Sequence, residues 1–284
     1  MDNNLSTIEK KALEATNLTA FPVNFMDIRR NIKLLLGEVG RYGFFDDYTT
    51  HNFSHVEEML QIAEWIIPEK TKLSLTPADY FILTLSIYFH DLGLLITRSE
   101  FEHRNTRNIS MWVEDHLYVG SDGEDYRSRV AEMDSDSRER FLYQEYVRAH
   151  HGSRIKTWIE GEFKGEVDSN NLEIISEINN LIKPLSLTVK RDIAKICESH
   201  NLDDIDNITK YPLSQPYGNS KDEEADLQYI SVILRTVDLL QIAKARAPSI
   251  LFRIISPSNP KSQIEWHKQN AVRRIRKKDM VDQE

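Results

Sequence analysis

Residues 80–91 read YFILTLSIYFHD, a mostly apolar run that ends in the pair His90-Asp91. Pro77 comes shortly before the run, and proline is common in the first turn of a helix. The spacing therefore predicts one buried helix that ends at this pair. A buried carboxylate is costly unless it meets a counter-charge, hydrogen bonds or a metal ion. We therefore expect a binding site for a metal ion at the end of this helix.

Further side chains that could bind the same ion are spread along the chain. They are His55, His151, His200 and Asp238. Each lies in or near a predicted helix, and helical metal proteins assemble their sites from side chains that point inward from several helices. Neutral imidazoles together with carboxylates suit Mn, Fe, Co or Zn. These residue types therefore predict a site for a divalent cation inside a helical bundle.

The composition is that of an ordinary globular domain. The 284 residues are 40% hydrophobic and 29% charged, which is enough for a sizeable core. The net charge of −9 argues against a general polyanion-binding surface. The single cysteine, Cys197, excludes an internal disulfide and a cysteine-rich zinc module. Because neither a long apolar segment nor a signal peptide is evident, we expect a cytoplasmic protein with no membrane contact.

Helical periodicity dominates the chain and predicts a mainly α fold. Residues 24–39 repeat apolar side chains every three or four positions, which indicates one buried helix face. Ser54 is the predicted N-cap of the next helix. Further helices are predicted at 77–91, 100–117, 138–150, 171–183, 187–200 and 224–245. Turn-forming residues predict long loops at 119–137 and 203–223.

We predict a single domain over residues 1–284, because no linker rich in proline and glycine divides the chain. Its helical core is expected at 24–245. The remaining residues, 246–284, are predicted to form a C-terminal extension that ends in a basic tail. A run of β-branched and apolar residues in this extension predicts a short β element near 248–256.

The order of these motifs resembles the HD superfamily of metal-dependent phosphohydrolases over residues 40–245. The resemblance rests on FSHVEEM around His55, the His90-Asp91 pair, YVRAHHG around His151 and the late RTVDLL. The segment LRTVDLLQIAKARAPSILFRII is similar to HD regions found fused to GHKL-type ATPases. The resemblance implies an HD-type helical bundle, and its ATPase-fused relatives suggest an ATPase as a partner protein.

The resemblance also assigns roles to the candidate ligands. A first metal ion would be held by His55, His90, Asp91 and Asp238. Asp91 would bridge to a second ion held by His151 and His200. Two cations about 3.5–4 Å apart can share a hydroxide and clamp a phosphoryl group from both sides. The family therefore implies one or two divalent ions, drawn from Mn, Fe, Co, Zn or Mg.

His150 and His51 are the alternatives for the remaining chemistry. Neighbours on a helix point about 100° apart, so only one of His150 and His151 is expected to bind metal. We favour His151 as the ligand and His150 as a catalytic residue beside the substrate. His51 is a second candidate for the general acid, or a ligand for an additional metal ion.

Arginines are the expected partners of the substrate phosphate, because a planar guanidinium can bind phosphate through two hydrogen bonds. Arg148 and Arg154 lie three residues on either side of His151, and Arg104 and Arg107 follow the His-Asp pair. Arg235 precedes Asp238 by three residues and could support that carboxylate. The alternative for each is an ordinary surface ion pair worth under about 1 kcal/mol.

The function that these features imply is hydrolysis of a nucleotide phosphoester, with Asp91, His150 and Arg148 as catalytic residues. A phosphodiesterase on cyclic or oligomeric nucleotides is favoured over a nucleotidase or a deoxynucleotide triphosphohydrolase. The rival hypotheses are a non-catalytic nucleotide-sensing interaction module and a metal-dependent oxygenase. The expected partners are a nucleotide or oligonucleotide ligand, a second copy of the chain and the ATPase named above.

Overall fold

The computed structural model describes residues 5–40, 44–45, 52–120, 123–165, 169–241 and 260–272, and this part of the chain is mainly α-helical. The α-helices are α1 Thr7–Ala15, α2 Phe25–Leu36, α3 Phe53–Ile66, α4 Glu69–Lys72, α5 Pro77–Phe89, α6 Arg98–Glu102, α7 Thr106–Trp112, α8 Gly123–Glu132, α9 Ser135–Lys164, α10 Leu172–Leu181, α11 Leu187–Ser199, α12 Leu227–Leu240 and α13 Pro260–Ala271. Strands β1 Gln215–Pro216 and β2 Glu224–Ala225 pair antiparallel, with Gln215 opposite Ala225.

Helix α5 is the centre of the bundle. Every residue from Ala78 to Phe89 is buried, and α1, α3, α11 and α12 pack around it. A helix that is apolar on all sides needs such cover on all sides. Its start is fixed by a capping box, in which the Thr76 hydroxyl accepts from the backbone N–H of Asp79 at 3.0 Å. The predicted buried helix ending at the His-Asp pair is confirmed.

The hydrophobic core begins before the predicted boundary at residue 24. Ile8, Ala12 and Ala15 of α1 are buried in the same core as α5. Arg29 donates to Glu9 Oε1 at 2.8 Å, and the Tyr88 hydroxyl donates to the same oxygen. This buried group ties α1 and α2 to the central helix.

Helix α9 is longer than the 138–150 predicted from the sequence. It runs from Ser135 to Lys164 and continues through Gly152 and Gly161. An interior glycine costs a helix only about 1 kcal/mol, so packing against α10 and α11 can outweigh it. The N-terminal half of α9 carries a second hydrophobic cluster, which includes Phe141 and Val147.

The predicted loop at 119–137 is wrong over most of its length. Helix α8 occupies Gly123–Glu132, and its Tyr126 and Val130 are buried in the second cluster. Those two side chains are four residues apart and share one helix face. The polar composition of the segment hides this short apolar face.

The predicted long loop at 203–223 is confirmed as non-helical apart from a single 3₁₀ turn, Lys221–Glu223. Glu223 fastens it to the N-terminal region by accepting from the Thr19 hydroxyl at 2.9 Å.

The predicted N-cap Ser54 is wrong, because Asn52 caps α3. The predicted β element at 248–256 lies outside the described residues. Among the described helices, none combines the length and apolarity that a membrane crossing requires.

Candidate metal centre

Six side chains from five helices converge at one end of α5. His55 lies in the first turn of α3, His90 and Asp91 directly follow α5, and His151 lies midway along α9. The other two are His200, which directly follows α11, and Asp238, in the last turn of α12. The six residues predicted from the sequence therefore lie together, although they span most of the chain.

The first group of ligands surrounds one oxygen of Asp91. His55 Nε2 lies 3.2 Å and His90 Nε2 3.3 Å from Asp91 Oδ2. The two imidazole nitrogens are 3.4 Å apart. Asp238 Oδ1 lies 3.7 Å from His55 Nε2 and 3.9 Å from His90 Nε2. His55, His90 and Asp91 place their donor atoms close enough together to bind a single divalent ion, and Asp238 lies beside this group.

The second group surrounds the other oxygen of Asp91. His151 Nε2 lies 3.6 Å from Asp91 Oδ1, and it lies 2.7 Å from His200 Nε2. Asp91 thus turns one carboxylate oxygen toward each group of histidines. This arrangement is the one that a carboxylate bridging two cations needs.

The tautomer of each histidine is set by a hydrogen bond on the far side of its ring. His90 Nδ1 lies 2.9 Å from the Ile87 carbonyl and His151 Nδ1 2.7 Å from the Arg148 carbonyl. The same contact joins His200 Nδ1 to the Cys197 carbonyl. Since a carbonyl only accepts, each Nδ1 carries the hydrogen, and in the neutral ring each Nε2 has a lone pair. The donor set therefore fits metal binding through Nε2.

His55 reaches the same tautomer through a side chain. Its Nδ1 contacts Gln241 Oε1, and Gln241 Nε2 donates to Glu58 Oε2 at 2.7 Å. Sequence reasoning missed Gln241, although it lies only three residues after Asp238 in the same RTVDLLQ segment. Asp238 lies in the last turn of α12, and Gln241 is the C-cap residue directly after that helix.

Two glycines allow α9 to come close to the other ligand-bearing segments. A Cβ on Gly93 would lie 2.0 Å from the carbonyl oxygen of His151. A Cβ on Gly152 would lie 2.4 Å from Asn201 Oδ1. Because both positions lack a side chain, the turn after Asp91 and the residues after α11 can both pack directly on α9. The second group of ligands depends on these two approaches.

Burial and the neighbouring charges set the protonation states. Burial, with the nearby His151 and His90, lowers the pKa of His200 to about 3, and burial also lowers the pKa of His151. Both rings are therefore neutral at pH 7 and in the form that binds metal. At His90 burial opposes the charged form, but Asp91 and Asp238 outweigh it and raise the pKa to about 9. A cation that binds there would displace that proton.

Two of the arginines expected at the phosphate make structural contacts instead. Arg154 donates to the carbonyl of Gly93 at 2.8 Å and of Leu95 at 2.9 Å, and it pairs with the buried Glu100. It therefore fastens the turn after Asp91 to α9. Arg104 pairs with Glu139 and lies 3.9 Å above the centre of the Phe101 ring.

The remaining arginines differ in the contacts that their guanidinium groups make. Arg148 pairs with the buried Glu145 at 2.9 Å, and its side chain is 31% exposed. Arg107 is exposed, and no described residue forms an ion pair with it. Arg235 donates to the Leu202 carbonyl and pairs with Asp203 at 3.0 Å. The expectation that Arg235 supports Asp238 is therefore not met, because the loop after α11 takes its guanidinium.

His150 lies in a group of aromatic rings that the sequence analysis did not identify. We call this set the aromatic group; it consists of Trp112, His116, Tyr146 and His150. His150 Nδ1 contacts the Tyr146 carbonyl at 2.7 Å, and its ring centre lies 4.3 Å from that of Tyr146 and 5.7 Å from that of Trp112. A rare π-helical turn, Val113–Leu117, carries His116. The signal in the sequence is two aromatic pairs at a spacing of four residues. His51 lies outside the described residues.

Comparison with known proteins gives one match. The family model described as HD-CE matches residues 45–282, which include all six converging side chains. No curated protein and no solved structure matches the chain.

Proposed function

The chain belongs to the HD-CE family, an HD-type domain, and from this premise we propose that it is a metal-dependent hydrolase of a nucleotide phosphoester. The observation that carries the proposal is the position of Asp91. Its two oxygens face two separate groups of histidines, at 3.2–3.3 Å on one side and 3.6 Å on the other. Such a bridging carboxylate is typical of two-metal phosphoryl-transfer sites.

The cluster residues would hold the ions, and neighbouring residues would handle the substrate. Divalent cations bound there supply charge neutralisation for the phosphoryl group and lower the pKa of a water molecule. Asp238, with 31% of its side chain exposed, forms the most open edge of the first group, so the phosphate would approach from that side. Arg148 and Arg107 are the arginines left to orient it. In its doubly protonated form His150 would donate a proton from Nε2 to the leaving group, while its Nδ1–H stays bonded to the Tyr146 carbonyl.

The aromatic group supports a nucleotide as the substrate. Bases stack on aromatic side chains, and each stacked base contributes about 1–3 kcal/mol of binding. His150 belongs to the aromatic group and is the sequence neighbour of His151, one of the six cluster residues. A base stacked on this group would therefore leave its phosphate near the candidate ligands. A cyclic dinucleotide or an oligonucleotide presents several bases and a phosphodiester, and a cyclic mononucleotide presents one base and a phosphodiester. We therefore favour a phosphodiesterase over a nucleotidase or a deoxynucleotide triphosphohydrolase.

A second candidate is a nucleotide-sensing module that binds without turnover. It is favoured by the structural contacts of Arg154 and Arg104, which leave fewer guanidinium groups for transition-state charge. In that case nucleotide binding would be signalled to another protein. The ATPase partner and the second copy of the chain remain predictions from the sequence.

Turnover and binding assays separate the two functions. Protein purified without chelator is incubated with Mn²⁺ and mononucleotides, cyclic mononucleotides, cyclic dinucleotides, oligonucleotides or deoxynucleoside triphosphates, and products are separated by chromatography. We expect hydrolysis of a diester that is lost in Asp91→Asn and kept in Asp125→Asn, a change at an exposed position of α8. Nucleotide binding without products would support the sensor. If the protein neither binds nor hydrolyses any of these nucleotides, both functions are refuted.

A further inference from the structure

The four histidines of the metal centre do not obtain their hydrogen-bond acceptors in the same way. His90, His151 and His200 use the carbonyl three residues earlier in their own chain segment. These contacts are local to each helix. His55 uses Oε1 of Gln241, the C-cap residue of α12, which lies 186 positions further along the chain. The orientation of His55 therefore depends on a side chain, which a substitution can remove, and not on a backbone carbonyl.

The position of His55 in its helix differs from that of the other three histidines. It is the third residue of α3, and the carbonyl three residues earlier is that of the N-cap Asn52. That carbonyl accepts from the backbone N–H of His55 at 3.0 Å. The Nδ1 acceptor of His55 comes instead from Gln241, the C-cap residue of α12, a helix that packs against α3.

We propose that Gln241 is the positioning residue of this metal centre, and that Glu58 fixes the direction of its amide; the inference rests on the proposed metal site. Gln241 is only 2% exposed. Its Nε2 donates to Glu58 Oε2 at 2.7 Å. A carboxylate only accepts, so Glu58 requires the amide to present its NH₂ group, and the amide oxygen then faces His55.

These contacts determine which ring nitrogen of His55 faces the metal site. With Gln241 Oε1 as its acceptor, His55 must carry its hydrogen on Nδ1 and present the lone pair of Nε2 to the cluster. Partners of this kind hold a ligand in its productive tautomer, and their loss typically weakens metal binding about 10–100-fold. Asp238 lies three residues earlier, in the last turn of α12, so the C-terminal end of this helix supplies both a candidate ligand and the support of another.

The test measures metal affinity without any substrate. Mn²⁺ or Zn²⁺ is titrated into the full chain in competition with a chromophoric chelator, and thermal unfolding is followed alongside. Gln241→Leu removes the acceptor and the donor together, so we expect affinity to fall by about 10–100-fold. Gln228→Leu is the control, since Gln228 lies on the same helix and its amide donates to the Ile205 carbonyl at 3.0 Å. Its metal affinity should not change.

A paired substitution distinguishes positioning from simple packing. Gln241→Glu keeps an acceptor for His55 but places a second carboxylate against Glu58, so affinity should fall. Adding Glu58→Gln provides an amide that can donate to the carboxylate at 241, which again accepts from His55. We expect this double variant to recover to within a few-fold of the original affinity.

The outcomes separate this inference from the proposed function. Unchanged affinity in Gln241→Leu would overturn the inference and leave the function intact. A folded double variant with no recovery would also overturn it. Reduced affinity with recovery would support the inference even if no nucleotide is hydrolysed. If the original chain binds no metal, both the inference and the proposed function are overturned.

Discussion

Replacing Gly93 by alanine should damage the second group of ligands more than the first. The added Cβ would lie 2.0 Å from the His151 carbonyl oxygen and 2.8 Å from its carbonyl carbon. Both atoms belong to the backbone of α9, so they cannot rotate aside. Restoring ordinary van der Waals distance requires a relative movement of about 1.3 Å, since carbon–oxygen contacts shorter than about 3.3 Å are repulsive.

That movement has a cost in stability and a consequence for metal binding. Overpacking of this kind costs typically about 1–3 kcal/mol. Each kcal/mol lowers the melting temperature by roughly 2–4 °C in a protein of 150–250 residues. The turn that carries Asp91 would move away from His151, and the 3.6 Å gap between Asp91 Oδ1 and His151 Nε2 would widen. We expect the protein to lose the second metal ion and to keep the first.

The assay combines thermal unfolding with elemental analysis of metal content. Gly37→Ala is the matched control, because a Cβ there would meet the Leu34 carbonyl oxygen at 3.2 Å, a milder contact that involves none of the six cluster residues. It should change the melting temperature little and leave the metal content alone. If Gly93→Ala melts like the original chain and binds the same number of ions, the close approach of the two segments does not support the second group.

Three further predictions concern other parts of the site. Arg154→Ala should lower the free energy of unfolding in urea by about 3 kcal/mol, because it leaves the buried Glu100 without this guanidinium and frees the turn after Asp91; an unchanged urea midpoint would contradict it. Cys197 is fully buried and burial raises the pKa of its thiol, so Ellman's reagent should react with it only on unfolding; fast labelling of the native protein would show that this reading of the core is wrong. His90, with its pKa raised to about 9, holds a proton below that pH in the absence of metal. Metal affinity should therefore rise by about tenfold per pH unit between pH 7 and 9 as this competition fades, and then level off; a flat profile in competition titrations would contradict a metal ion that displaces a proton from His90.

Local patterns predict the bundle, whereas the cluster is predicted by the residue types together with the resemblance to the HD superfamily. The apolar run of α5 and its proline start are visible in the residues themselves. The six candidate ligands converge because each lies at a position, in or directly after a helix, that faces the same end of α5. By contrast, α8 was missed because its apolar face consists of little more than Tyr126 and Val130 within a polar segment.

The contacts between distant segments could not be predicted from local patterns. The spacing of Arg154 from His151 suggested a phosphate contact, but nothing nearby shows that Glu100 and two carbonyls take its guanidinium. The support of His55 by Gln241 joins α3 to the C-cap of α12. Such pairings are set by how helices pack, and a single sequence carries no periodic signal for them.

The convergence of five helices on one point has a consequence beyond chemistry. Bound cations would link α3, α5, α9, α11 and α12, since each of these helices, or the residues directly after it, carries at least one of the six candidate ligands. A ligand that binds only the folded state adds about 2.7 kcal/mol of stability when present at a hundred times its dissociation constant. Resistance to heat or to proteases would thus follow the supply of metal, and a chelator would loosen the whole bundle along with the site.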